Sequence, residues 1–156
     1  MTTLTRSQSL RQTPTTPTPP VHDPAAARAF AIDAARLLAD DKCQDVLVLE
    51  VRGLSQVCDY LVLASGTSDR QMRSAAEHVK DLAREGGHPV FRSAVDESST
   101  WYVLDCVDVV VHVFEPNTRS HYDLEMLWGD AEQVPWERSD QVTRDRAGLG
   151  EGPDAE

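Results

Sequence analysis

The apolar residues of this chain fall into two alternating rhythms, one of period near 3.6 and one of short, nearly unbroken runs. Phe30, Ala34, Leu37 and Leu38 recur at helical spacing behind Asp23-Pro24, an N-cap followed by proline at the first helical position. Asp40-Asp41-Lys42 closes that helix. Val46–Val51 is short, β-branched and apolar on both faces, as a central strand requires. A turn at Gly53–Gln56 leads to a second strand, Tyr60–Ser65, antiparallel to the first across so short a link. Gly66-Thr67-Ser68 opens the next helix, with Ser68 and Gln71 at capping-box spacing. Met72, Ala75, Ala76, Val79, Leu82 and Ala83 form its buried stripe, and Gly86-Gly87 ends it.

The pattern then returns to strands. Residues 89–92 read as a short one, expected parallel to Tyr60–Ser65 by a right-handed crossover. Residues 93–100 read as a polar loop. Strands at 101–104 and 107–114 meet at a turn, and the second is a valine run interrupted by His112. A last helix is expected over about 119–128, with Leu124, Leu127 and Trp128 on one buried face and Tyr122 and Met126 on another. Val134-Pro135-Trp136 is expected to pack back on the body. The predicted order is α-β-β-α-β-β-β-α, an α/β fold of the α+β kind in which helices lie against a mixed sheet.

Composition sets the limits of that domain. The chain has 156 residues. Residues 1–22 are a Thr/Pro-rich arm and residues 137–156 an acidic tail, both expected to be disordered; the folded domain is then 23–136. Arg6 and Arg11 without any acid give the arm a trace of organelle transit peptide, but Pro14, Pro17, Pro19 and Pro20 would break the amphipathic helix such peptides form. No run approaches the ~18 apolar residues of a membrane span. Cys43, Cys58 and Cys106 are odd in number and lack Cys-x-x-Cys spacing, which points to reduced thiols and a cytoplasmic location rather than disulfides or zinc. The formal net charge is −11. So acidic a chain gains nothing from a nucleic-acid backbone and is steered toward a basic partner.

Candidate chemistry is sparse. Gly66–Ser68 lies between a strand and a helix, where backbone N–H groups can hold phosphate. One glycine without a following lysine is not a nucleotide loop, and Ser68 as a helix cap explains it as well. Asp105 and Asp108 flank a turn and could hold magnesium, though Asp is also a turn residue. Joined to Gly66–Ser68 they would suggest a residual nucleotidyl or phosphoryl transferase, but the acids expected on the strand after the glycine helix are missing. No metal, cofactor or catalytic residue is assigned. His112 among valines reads as a hydrogen-bonded, half-buried residue. Trp101, Tyr122, Met126 and Trp128 exceed what one helix face and one strand hide, so part of this group should be exposed and available to a macromolecule.

Three ordered segments resemble the ribosomal silencing factor, or Iojap-like, family. They are Asp59-Tyr-Leu-Val-Leu-Ala-Ser-Gly-Thr-Ser-Asp-Arg-Gln71, Trp101–Phe114, and Tyr122-Asp-Leu-Glu-Met-Leu-Trp-Gly-Asp130, within a resemblance that spans about residues 26–136. The resemblance implies a nucleotidyltransferase-like core without catalytic acids. It implies a translational repressor that binds the large-subunit ribosomal protein numbered fourteen at the subunit interface. That contact blocks joining of the small and large subunits when nutrients are limiting. It further implies a partner surface on Trp101, Tyr102, Asp105, Asp108, His112, Tyr122 and Met126, and a homodimer in the free state is one further use of the same patch. The family usually has an aromatic residue and glycine between the two acids of the turn, where this chain has Cys106 and Val107. Tyr102 stands where a small apolar residue is usual, and an outward ring there would enlarge the aromatic patch.

Overall fold

A computed structural model describes residues 23–141, together with the backbone of 143–144 and 150–151. The expectation for residues 1–22 lies outside the described residues, as does most of the expected tail.

The first helix, α1 (Pro24–Asp40), starts as its sequence requires: Asp23 accepts hydrogen bonds from the Ala25 and Ala26 N–H groups, with proline behind it. Its buried face is Ala27, Phe30, Ala31, Ala34, Ala35, Leu38 and Ala39, a stripe of mostly small side chains that lets the helix lie close on the sheet. Lys42, with φ 70°, turns the chain out of the helix. Strands β1 (Gln44–Glu50) and β2 (Tyr60–Ser65) follow as an antiparallel pair. The register of β1 slips between Gln44 and Leu47. Asp45 there has φ 49°, a left-handed conformation that aspartate tolerates.

Helix α2 (Asp69–Glu85) is capped by Ser68, whose Oγ accepts from the Gln71 N–H at 3.1 Å. Met72, Ala75, Val79 and Ala83 are its fully buried residues. Gly66 is fixed by packing, since a Cβ at that position would stand 2.1 Å from Met72 Cγ. After α2 come β3 (Arg92–Val95), β4 (Trp101–Asp105) and β5 (Val109–Phe114). The strand expected at 89–92 therefore begins only at Arg92, the last residue of that stretch, and runs on to Val95 in the segment expected as a loop. Pro89 has no N–H for a ladder, and Phe91 is 75% exposed.

The six-stranded sheet has the order β3-β4-β5-β2-β1-β6, where β6 is Glu132–Gln133. β5 is the parallel neighbour of β2; all the other pairings in the sheet are antiparallel. β3 runs in the same sense as β2, as expected, but at the edge of the sheet with β4 and β5 between them. The chain crosses with α2 to that edge and returns inward through two tight connections.

Alternation divides the sheet into two faces. Val48, Tyr60, Val62, Ala64, Leu104, Val109, Val111 and Val113 pack under α1 and α2. Leu49, Val51, Leu61, Leu63 and Phe114 point the other way. That second face is covered only in part, by helices α3 (Pro116–Tyr122) and α4 (Leu124–Leu127) and the residues after them. The chain then crosses the β1 edge through β6, and Val134 and Trp136 bury themselves in the α1 side. The contacts do not stop at Glu137. Arg138 pairs with Asp40 at 2.9 Å, and the buried Gln141 donates to the same carboxylate. Beyond it, β7 (Thr143–Arg144) and β8 (Gly150–Glu151) form a separate two-stranded ribbon.

Candidate partner-binding surface

The expected single helix at 119–128 is two helices. It starts earlier, with Pro116 at its first position, and breaks at Asp123, which has φ 48° and ψ 58°. The Asp123 side chain then caps α4 by accepting from the Met126 N–H. The break resets the helical phase. Leu124 and Trp128 turn toward Leu49, Leu61 and Leu63, while Leu127, expected to be buried with them, is 69% exposed. Met126 is 79% and Tyr122 53% exposed.

A buried arginine holds this segment to the sheet. Arg119 Nη1 donates to the Asp45 carbonyl at 2.8 Å and to Ser65 Oγ at 2.9 Å; its Nε donates to Glu125 Oε1 at 2.6 Å. The bulge in β1 aims the Asp45 carbonyl into this cage. One guanidinium thus joins the start of β1, the end of β2, α3 and α4, using the fork of donors that lysine lacks. Sequence reading missed Arg119, because neither its spacing nor its neighbours mark a surface-type residue as buried.

On the partly open face, Trp101 stands opposite Phe114 and Val103 opposite His112. The Trp101 ring lies 5.2 Å from Phe114 at 29° and 4.7 Å from Tyr122 at 41°. The His112 ring is 5.7 Å from Phe114, nearly parallel at 9°. Such ring pairs each contribute about 0.5–1.5 kcal/mol beyond their area. Trp101 Nε1 donates to His112 Nδ1 at 3.0 Å. Burial pushes the His112 pKa down to about 4, so the ring is neutral at physiological pH. The backbone of Trp101 is fixed as well. Asp96, also missed in the sequence, accepts from the Trp101 N–H at 3.0 Å and from both the N–H and hydroxyl of Thr100. The Thr100 hydroxyl leads the hydrogen bonds that hold the Asp96 carboxyl below the usual carboxylate range. Beside Trp101 is a shallow hollow lined by Ala94, Val95, Asp96 and Val103.

Trp101, His112 and Tyr122 are therefore brought together, with Met126 on the adjoining rim. Tyr102 is not among them. As the next residue along the strand it points to the helix-covered face, where its hydroxyl donates to Asp69 Oδ1 in the first turn of α2, beside Arg73. It does not enlarge the aromatic patch.

Asp105 and Asp108 lie at the far end of β4 and β5, about 13 Å along the strand from Trp101. They shape the turn. Asp105 Oδ1 accepts from the Val107 N–H at 2.9 Å, and the Cys106 carbonyl accepts from the Asp108 N–H at 2.9 Å across Val107 at φ 70°. That three-residue closure is a γ-turn, a strained form for a β-branched residue. The Asp108 carbonyl accepts from the Asp59 and Tyr60 N–H groups, which ties the turn to the start of β2. Gly66, by contrast, follows the opposite end of β2, where its N–H donates to the Phe114 carbonyl. The two halves of a transferase site are thus separated by the length of β2, about 16 Å. The Thr67 N–H, one of the groups that would hold phosphate, is already bound by Gln71 Oε1, whose Nε2 reaches the Asp41 carbonyl at 3.0 Å. Among the described residues, no helix is long and apolar enough to cross a membrane.

A family model described as ribosomal silencing factor during starvation matches residues 24–152. The chain is 42% identical over 98 residues to the ribosomal silencing factor RsfS of Bacillus subtilis, a match covering 63% of this chain and 83% of that one. It is 34% identical over 125 residues to the chloroplastic protein Iojap of Arabidopsis thaliana, covering 80% of this chain and 52% of that protein. A crystal structure of a Chromobacterium violaceum protein superimposes with a TM-score of 0.61 at 31% identity, over 75% of this chain and 94% of that one. On these matches and this fold, the chain belongs to the ribosomal silencing factor (RsfS, Iojap-like) family.

Proposed function

We propose that this protein represses translation by binding the large ribosomal subunit through its protein numbered fourteen, at the face where the subunits join, and so excludes the small subunit under nutrient limitation. It acts by occupancy rather than turnover, in the cytoplasm. The observation that carries the reading is the half-open sheet face, where Trp101 is ordered by three aromatic neighbours and flanked by exposed Tyr122, Met126 and Leu127. A rigid aromatic body with an exposed apolar rim is the composition of an interface centre. Asp105 and Asp108 at the far end of the same strands, on a chain of net charge −11, favour a basic partner and set its approach. His112 takes part from the middle of the face, whereas Tyr102 contributes only through the sheet beneath it. In the free state the same apolar rim pairs two copies of the chain, which separate before docking.

The test is sedimentation of purified subunits with the protein, at magnesium concentrations that favour joining. The expected result is co-migration with the large subunit and loss of joined ribosomes. Trp101→Ala should weaken that binding at least about tenfold, the loss of one hot-spot anchor. Joined ribosomes that persist while the protein stays at the top of the gradient would overturn the proposal.

A further inference from the structure

We infer that His112 is a positioning residue: its Nδ1 accepts the Trp101 indole N–H, and this bond selects which edge of the indole faces outward on the open sheet face. The inference rests on the proposed use of Trp101 as an anchor, and adds how that anchor is held. An indole nitrogen can only donate, so the 3.0 Å contact makes Nδ1 the acceptor. A neutral imidazole carries one proton, which must then sit on Nε2. Burial keeps the ring neutral, which keeps that acceptor available.

Phe114 and Tyr122 contact the faces of the indole at 5.2 and 4.7 Å, which restrains the plane of the ring. The torsion that spins an aromatic ring is broad and roughly two-fold, and a half-turn of an indole would keep the plane of the ring while carrying the six-membered ring and the N–H to the opposite side. The hydrogen bond to His112 Nδ1 is made in only one of these two orientations. His112 is itself held by its opposite-strand place beside Val103 and by the parallel Phe114 ring. The Trp101 backbone is pinned separately by Asp96. Backbone, plane and edge of one exposed-face tryptophan are thus each fixed by a different residue, and a side chain ordered before binding does not lose that freedom on binding.

Two measurements test this. Nitrogen-15 NMR of the free protein should show His112 in the Nε2–H form and a slowly exchanging Trp101 indole proton. An Nδ1–H form overturns the inference whatever the ribosome does. Binding to the large subunit is then compared for His112→Phe, which keeps a ring and loses the acceptor, and His112→Gln, which keeps an acceptor. The expected loss is about tenfold for His112→Phe, with recovery to within about threefold for His112→Gln. Equal losses, or no loss from His112→Phe, would assign His112 a contact or packing role instead. Failure of the wild-type protein to bind the subunit would remove the proposed function, and the NMR measurement would still decide how Trp101 is held. If His112→Phe does not fold, the tautomer and the Gln variant carry the decision.

Discussion

Replacing Arg119 by methionine removes a buried guanidinium and leaves its volume roughly filled. Three hydrogen bonds go with it, to the Asp45 carbonyl, Ser65 Oγ and Glu125. Glu125 is 39% exposed at its side chain and can turn to water, so its loss weighs little. Ser65 is buried and the Asp45 carbonyl sits in the same cage, and each orphaned group costs about 1–3 kcal/mol. The methionine no longer has to desolvate a charge, which offsets part of that. The net loss should be about 3 kcal/mol. For a domain of this size, at about 4 °C per kcal/mol, Tm should fall by about 12 °C. Urea unfolding should show a lower midpoint with an unchanged slope, since the same surface is exposed on unfolding. Arg119→Lys should recover only part of the loss, because one ammonium cannot span three acceptors in fixed directions. A methionine variant within about 1 kcal/mol of wild type, or a lysine variant equal to it, would refute the assignment of Arg119 as the clamp between the sheet and the α3–α4 segment.

Other expectations are simpler to check. Gly66→Ala forces Met72 aside at a 2.1 Å approach, and should cost about 1–3 kcal/mol in denaturant unfolding. Val107→Gly relieves a β-branched residue at φ 70° but adds freedom to the unfolded chain and removes a partly buried side chain. The balance should be a small gain, about 0.5–1 kcal/mol, seen as a raised Tm; a fall of that size would show the turn to be unstrained. The hydrogen bond to Asp41 leads the effects that raise the pKa of His78. That pair therefore stabilises the fold fully below the unfolded pKa near 6.5, and its contribution is lost as pH rises through the raised folded value. The Tm difference between wild type and His78→Asn should shrink from about pH 5 to about pH 9; a difference that grows would reverse the sign of the linkage.

Much of this architecture is written in local signals. Asp23-Pro24 and Ser68 mark helix starts because their side chains or ring satisfy the first N–H groups, and the structure uses both as expected. The all-buried pattern of Tyr60–Ser65 follows from a strand with neighbours on both sides and cover on both faces. Most of the differences between expectation and structure depend on contacts distant in sequence. Apolar spacing alone cannot reveal that Asp123 takes a left-handed conformation, yet this one residue decides whether Leu127 is buried or exposed. Tyr102 differs in kind, since strict alternation from Trp101 places it on the opposite face by a local rule, and the structure follows that rule. Arg119 becomes legible only once the β1 bulge and the end of β2 are seen to converge on it.

The chain's route around the edge of the sheet has one last consequence. It enters at Asp23, the cap of α1, and after crossing the β1 edge it comes back to the same helix, where Gln141 and Arg138 bind Asp40 at the other end. Both ends of this body thus open on the helical side, a helix length of about 25 Å apart. The aromatic face looks the other way. A fluorophore or fused domain attached directly at Asp23 or directly after Gln141 would therefore start from the back of this body, away from Trp101 and Tyr122.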